Sequence, residues 1–397
     1  MLTALFLAIL FFHSPFSTNQ PIQTHNNHTP STHCNFDQPD TNMDDAATRQ
    51  LHIAADEHFV HDVPGTYPRL CRLADGTILA GFTTLPPDES GVRVLSVARG
   101  DDGGRTFVPH GEVARSPGDC DNLFLLELPG NDTGDPPTVL AAFRNHDLDE
   151  EGKPTYFRIT VCESRDGGTS WAFLSQAFEK EAPFGLWEPF LRVVAQEGRE
   201  VQLFFSQEVD VDDQDTMVVR SADGGATWSA PVCVTGEGER LRDGMVGVAE
   251  SCDRVSRSEA LVLVMETTRR GTFSIEAVVS LDGGETFGSR HVVYEPREGR
   301  NAGAPQIAAF ADGSLAVVFM TDEDGEGEPV WPGGASIKAV FGSWLEDGSI
   351  SWGAPETIAD AASSWPGIMS YECDAALAVY ESCSSIRGRL LRMLIQN

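Results

Sequence analysis

The chain has 397 residues, 41% of them hydrophobic, with Gly 38 and Pro 23, so it can build a sizeable core but is cut too often for long helices. Its 60 acidic residues against 28 basic ones give a formal charge of −32. That field repels phosphate backbones and anionic membranes, which excludes nucleic acid and lipid surfaces as partners; a neutral or cationic partner fits, as does acidity that serves solubility alone.

The first element is the apolar run LTALFLAILFF over residues 2–12. It is too short to span a bilayer and has the length of a signal-peptide core, although no Lys or Arg precedes it. Residues 1–17 are therefore read as a secretory signal and the protein as extracellular, with no membrane anchor further on. Residues 18–50 are rich in Asn, Thr, His and Pro, bury too little apolar surface to fold alone, and are read as a disordered linker. The folded body is expected to run from 51 to 397.

That body repeats. GDDGGRTF holds Asp102, SRDGGTSW holds Asp166, SADGGATW holds Asp223 and SLDGGETF holds Asp282, and a decayed copy, DGSISW, holds Asp347. A near-constant step of about 60 residues marks a repeat architecture, and the body accommodates close to six such units. In each copy the Asp accepts hydrogen bonds from its own turn, the following Gly supplies a positive φ, and the aromatic packs beneath. Each copy is thus a hairpin tip rather than a catalytic site. The flanking runs ILAGF (78–82), VLSVAR (94–99), FRITVCES (157–164), VQLFFSQ (201–207), TMVVRS (216–221), ALVLVME (260–266), EAVVS (276–280), LAVVFM (315–320) and ALAVYES (376–382) read as strands. The predicted fold is all-β, a six-bladed propeller of four-stranded antiparallel blades, with a pocket where the innermost strands converge.

Eight Cys show no CxxC spacing, which argues against a zinc ribbon. Cys373 and Cys383 are the simplest local disulfide pair. Asn27-His28-Thr29 and Asn131-Asp132-Thr133 are glycosylation sequons. His58 and His61 lack a third ligand, so no metal or other cofactor is expected. Asp322-Glu323-Asp324 reads as a charged loop in preference to a weak calcium site.

The motif S-x-D-x-G-x-[TS]-[WF] is the Asp-box of sialidase-like propellers. It is strong evidence for fold and weak evidence for function, because non-enzymatic propellers carry it too. Tyr67-Pro68-Arg69-Leu70 resembles the first-blade motif in which sialidases carry an arginine. GLWEPFL (185–191), DQDTMVVRSADGG (213–225), RDGMVGVAES (242–251), METTRRG (265–271) and AGAPQIA (302–308) are together similar to glycoside hydrolase family 93, the exo-1,5-α-L-arabinanases that release arabinobiose from linear arabinan. The resemblance covers about residues 52–385. It implies a retaining glycoside hydrolase that acts as a monomer on an arabinan-like polysaccharide, with Glu188 as nucleophile and Glu266 as acid/base, the order being its weaker part. Read alone, a Glu at the end of an apolar strand is more often a paired or solvated residue; the matching motifs reverse that reading.

Around this pair, Tyr67, Arg69, Trp187, Gln214, Arg242, Asp243 and Tyr371 are candidate substrate-binding residues. Arg69 reads equally as a hydroxyl or carboxylate binder and as a structural arginine, and Arg242 and Asp243 stand at similar odds. Gln214 lies in an acidic loop that is otherwise merely solvated. Tyr371 reads as a packed core tyrosine or as a residue that positions a carboxylate or stacks on a sugar, and Trp331 and Trp365 as turn packing or rim platforms. Two other functions remain open: a true sialidase, which needs three arginines and a Tyr/Glu pair, and a non-catalytic glycan-binding propeller.

Overall fold

The computed structural model describes residues 48–61, 64–89, 91–130, 137–194 and 199–396. Among these residues every regular element is a strand. Six four-stranded antiparallel sheets form a ring. The first blade comprises β2 (Gly65–Arg72), β3 (Ile78–Thr84), β4 (Arg93–Gly100) and β5 (Val108–Ser116), and the second β6 (Asp119–Leu128), β7 (Thr138–Leu148), β8 (Pro154–Ser164) and β9 (Ala172–Glu181). The third holds β10 (Leu186–Val193), β11 (Val201–Asp210), β12 (Asp213–Ser221) and β13 (Val232–Thr235), and the fourth β14 (Asp243–Cys252), β15 (Glu259–Arg270), β16 (Thr272–Ser280) and β17 (Gly288–Tyr294). The fifth holds β18 (Ala302–Ala309), β19 (Leu315–Thr321), β20 (Ser336–Gly342) and β21 (Glu356–Ala359). The sixth is built from β22 (Ser363–Glu372), β23 (Ala375–Ser382), β24 (Ser385–Gln396) and β1 (Thr48–His61), which adds to β24 as the outermost strand and closes the ring. Glu57 of β1 fastens that closure by accepting hydrogen bonds from Tyr380 Oη at 2.7 Å and Arg387 Nη1 at 2.9 Å.

The nine runs read as strands all fall in second or third strands of their blades. These strands have a neighbouring blade on both faces, so their sequences are almost continuously apolar. In β19, Val317 and Phe319 pack with Val262 and Val264 of β15, while Val318 and Met320 pack with Ala376 and Ala378 of β23. A period of two divides one hydrophobic run between two interfaces.

The Asp turns join third to fourth strands at one end of the ring. In three of them the geometry is the same. Asp166 accepts the Ser170 N–H at 2.9 Å and its hydroxyl at 2.5 Å, and Ser164 Oγ donates to Asp166 while accepting the Gly168 N–H. Asp223 and Asp282 repeat this with Thr227 and Thr286. These hydrogen bonds, led by the Ser or Thr hydroxyl, hold the three carboxyls down at about 2. The paired glycines take φ between 69° and 91° at Gly167, Gly168, Gly224, Gly225, Gly283 and Gly284, where a Cβ is costly. In the decayed copy, Asp253 from the β14–β15 turn supplies the carboxylate that accepts the Gly348 N–H at 2.9 Å.

Cys373 and Cys383 are free thiols, which corrects the expected pairing. They flank β23 beyond its two ends, and at strand rise their ten-residue spacing holds them roughly 30 Å apart. Cys34, both sequons and the signal segment lie outside the described residues.

Candidate active site

The opposite end of the ring is built from one repeated irregularity. In all six innermost strands (β2, β6, β10, β14, β18 and β22) two residues oppose one on the partner strand, a β-bulge that re-aims a side chain. The first bulged residue is left-handed each time: Tyr67, Asn122, Glu188, Met245, Ala304 and Trp365, with φ from 44° to 58°. None is glycine, and such a conformation costs on the order of 1 kcal/mol or more per residue. A ring of strained positions therefore surrounds the axis.

Below them the axial channel is plugged. Phe124 and Phe190 pack with ring centroids 4.4 Å apart. Gln306 Nε2 donates to the Val246 and Pro305 carbonyls, and Arg69 Nη1 donates to the carbonyls of Pro68 and Pro366 at 2.8 and 3.0 Å. The void left among Tyr67, Asn122, Glu188, Met245 and this plug is about 10 Å³, close to the smallest that holds one water.

Glu188 rises from the β10 bulge. Burial pushes its carboxyl up to about 8, helped by the charge of Glu266 and opposed by Arg144, a hydrogen bond from Ser206 and Arg242. Glu266 stands on β15 opposite Gly244, is 9% exposed, and accepts the Ala304 N–H on Oε2 at 2.8 Å. Burial raises it to about 7 against that hydrogen bond and Arg242. Gly303 makes room for it, since a Cβ there would lie 2.5 Å from Glu266 Oε2 and 2.9 Å from the Trp331 ring. Tyr67 stacks on Trp365 at 4.4 Å. Burial, then the charge of Glu188, keeps its phenol protonated well above the usual range. Two carboxyls whose protons are held near neutrality, with a phenol beside them, can exchange protons with a bound molecule.

The other candidates divide. Arg242 acts on both carboxyls but is tethered, donating to Glu208 at 2.9 Å and Gln214 Oε1 at 2.8 Å. Arg69 belongs to the plug, where burial lowers its guanidinium to about 10. Four positions differ from the substrate-binding expectation. Gln214 is 3% exposed, with its amide shared between Arg242 and the Asp243 carbonyl. Asp243 is fully buried and held bidentately by Arg290 at 2.6 and 3.0 Å, away from the cavity because alternate residues of a strand face opposite ways. Trp187 packs into the core between the second and third blades, against His146 and under the Arg144 guanidinium at 5.0 Å. Tyr371 lies six residues beyond Trp365 on β22, roughly 20 Å along the strand, against Arg72 and the Gly103 turn.

Several residues of the site carry no motif in the sequence: Asn122, Ser206, the Ala304 N–H, and Arg144 with its partners Asp119 and Asp121 at 3.0 and 3.3 Å. One signal was available. Four of the six inner strands carry Pro directly after the bulged residue, in YPRL, EPFL, APQI and WPGI. Lys338 Nζ sits between Glu323 and Asp324 at 2.6 and 2.8 Å, so the acidic loop encloses a lysine. Among the described residues no group of three or more His, Cys, Asp or Glu is placed to hold a metal.

The chain shares its fold with glycoside hydrolases. The GH93 α-L-arabinofuranosidase of Fusarium graminearum, solved with arabinobiose, superimposes with a TM-score of 0.60 at 17% identity, over 85% of this chain and 97% of that one. The Penicillium chrysogenum α-L-arabinanase with arabinobiose gives 0.58 at 17% identity, over 87% and 98%. The NanB sialidase of Streptococcus pneumoniae gives 0.51 at 13% identity, over 86% and 70%. No protein-family profile and no curated sequence matches the chain.

Proposed function

We propose that the protein is a secreted retaining glycoside hydrolase, an exo-1,5-α-L-arabinanase that releases arabinobiose from linear arabinan. The observation that carries this reading is a pair of carboxyls that feel each other's charge, Glu188 on the β10 bulge beside the axial void and Glu266 opposite Gly244 on the next blade, both with raised proton affinity and only partial cationic compensation. In the first step the Glu188 carboxylate attacks the anomeric carbon while Glu266 gives its proton to the departing glycosidic oxygen. In the second, Glu266 takes a proton from water, which attacks the same carbon and frees Glu188. The order of the two roles follows the sequence resemblance alone: with Glu188 at about 8 and Glu266 at about 7, the proton affinities by themselves favour the reverse order. The solved arabinan-degrading relatives that hold arabinobiose support the substrate class.

The surroundings disfavour a sialidase. Arg144 is paired with acids, Arg242 with Glu208, and Arg69 with carbonyls, so no three guanidinium groups stand ready for a substrate carboxylate. The test is incubation with debranched arabinan. Release of a disaccharide supports the proposal. Cleavage of 4-methylumbelliferyl sialic acid in its place overturns it, and inertness toward both favours a binding module. Azide assigns the roles: it rescues Glu266→Ala on an activated aryl arabinofuranoside with retention at the anomeric carbon, whereas rescue of Glu188→Ala gives inversion.

A further inference from the structure

Asn122 occupies in the second blade the position that Glu188 occupies in the third. Both are the left-handed first residue of an inner-strand bulge, with φ of 58° and 44°, and both line the same cavity beside Tyr67. Asn122 is 5% exposed, yet neither its amide nitrogen nor its amide oxygen has a hydrogen-bond partner among the described residues. Its backbone, by contrast, is fastened: its N–H donates to Asp121 Oδ1 at 2.8 Å, and Asp121 is itself fixed by Thr83 at 2.6 Å and Arg93 at 2.5 Å. The residue is rigidly placed with its side chain unused. A buried unsatisfied amide and a left-handed backbone at one position are both unfavourable, a combination found where a ligand completes the bonding.

We propose that Asn122 is a substrate-contacting residue whose side-chain amide binds one ring hydroxyl of a sugar seated above the bulges, the hydroxyl entering the one-water void that Asn122 shares with Glu188. This deepens the hydrolase reading and rests on it. The chemistry selects the ligand class. An amide offers one acceptor and two donors side by side, which suits a hydroxyl, itself both donor and acceptor. A substrate carboxylate would use the donors and meet the amide oxygen unfavourably. Together with the protonated Tyr67 phenol, Asn122 makes this wall of the pocket complementary to a neutral polyol ring.

The experiment uses the full chain carrying Glu266→Gln, which stops turnover, with and without Asn122→Gly. Glycine accepts the left-handed φ, so the second change removes the amide without new strain. Arabinobiose binding is measured by calorimetry, and folding by thermal melting. The expected result is a Kd at least tenfold weaker in the double variant, with a melting temperature equal to or above that of the single variant. In an active background, Asn122→Gly is expected to cost about 100-fold in kcat/KM on an aryl α-L-arabinofuranoside, and the loss shrinks to within about threefold on the deoxy analogue that lacks the contacted hydroxyl. A Kd unchanged within twofold assigns Asn122 to holding solvent at the pocket floor and overturns the proposal. If Glu266→Gln alone fails to bind arabinobiose, the arabinanase reading fails first, an outcome distinct from loss of binding only on removal of the amide.

Discussion

The two ends of the ring use the same backbone device for opposite purposes. In three of the Asp turns the left-handed positions are paired glycines, and each carboxylate is saturated by local donors, holding Asp166, Asp223 and Asp282 at about 2. At the bulge end the left-handed positions are Tyr67, Asn122, Glu188, Met245, Ala304 and Trp365, and the carboxyls of Glu188 and Glu266 rise to about 8 and about 7. One end stabilises the blades. The other carries strain, uncompensated charge and an unpaired amide, which is where chemistry is expected.

Removing either carboxyl acts at the bulge end alone. Glu188→Ala and Glu266→Ala are each expected to lower kcat by about a thousandfold or more, with no loss of melting temperature. A parallel loss of folding would place the pair in the scaffold. Gly303→Ala leaves both carboxyls present but sets a methyl group 2.5 Å from Glu266 Oε2. Displacement of a catalytic group by about 1 Å costs about 100-fold, so turnover is expected to fall by one to two orders of magnitude. Retention of full activity contradicts the placement of Glu266.

The remaining effects are on stability and have opposite signs. Asp223→Ala removes the acceptor for Thr227 and Ser221 and is expected to lower the melting temperature by about 3 °C, with kcat unchanged. A carboxyl whose folded pKa is depressed stabilises above its unfolded value and loses that contribution as pH falls. The deficit of Asp223→Ala is therefore full above pH 3.8 and fades toward about 2. Glu188 behaves inversely. Its folded pKa lies above its unfolded value, so the native state binds the extra proton and stability declines as pH rises from 4.5 toward about 8. Glu188→Gln is expected to raise the melting temperature by about 2 °C at pH 8 and to lose that advantage near pH 4.5. Calorimetric scans across pH distinguish the two cases.

Legibility in the sequence followed burial. The middle strands were readable because both faces are packed. The inner strands were not, because bulges and prolines interrupt their alternation, and the outer ones, such as β5 and β9, are half-exposed edges. The Asp turns were legible because their hydrogen bonds are local. Glu188 and Glu266, 78 residues apart in sequence, were found only through motif resemblance. Asp243, Gln214 and Trp187 sat in the same motifs, yet nothing in a linear string says that Arg290, Arg242 and Arg144 would occupy them from other strands. Asn122 lacked a motif altogether; its meaning comes from its equivalence to Glu188 around the ring.

Glu188 and Glu266 are buried carboxyls coupled through charge, with little cationic compensation. Carbon-13 NMR titration of the unliganded protein labelled at the glutamate carboxyl carbon measures this directly. Two resonances are expected to titrate near 7 and 8, one vanishing in Glu188→Gln and the other in Glu266→Gln, with the survivor shifted downward in the Glu266 variant as its neighbour's charge is removed. Two resonances titrating independently near 4.5 would instead mark both as separate, solvated carboxylates with no catalytic coupling.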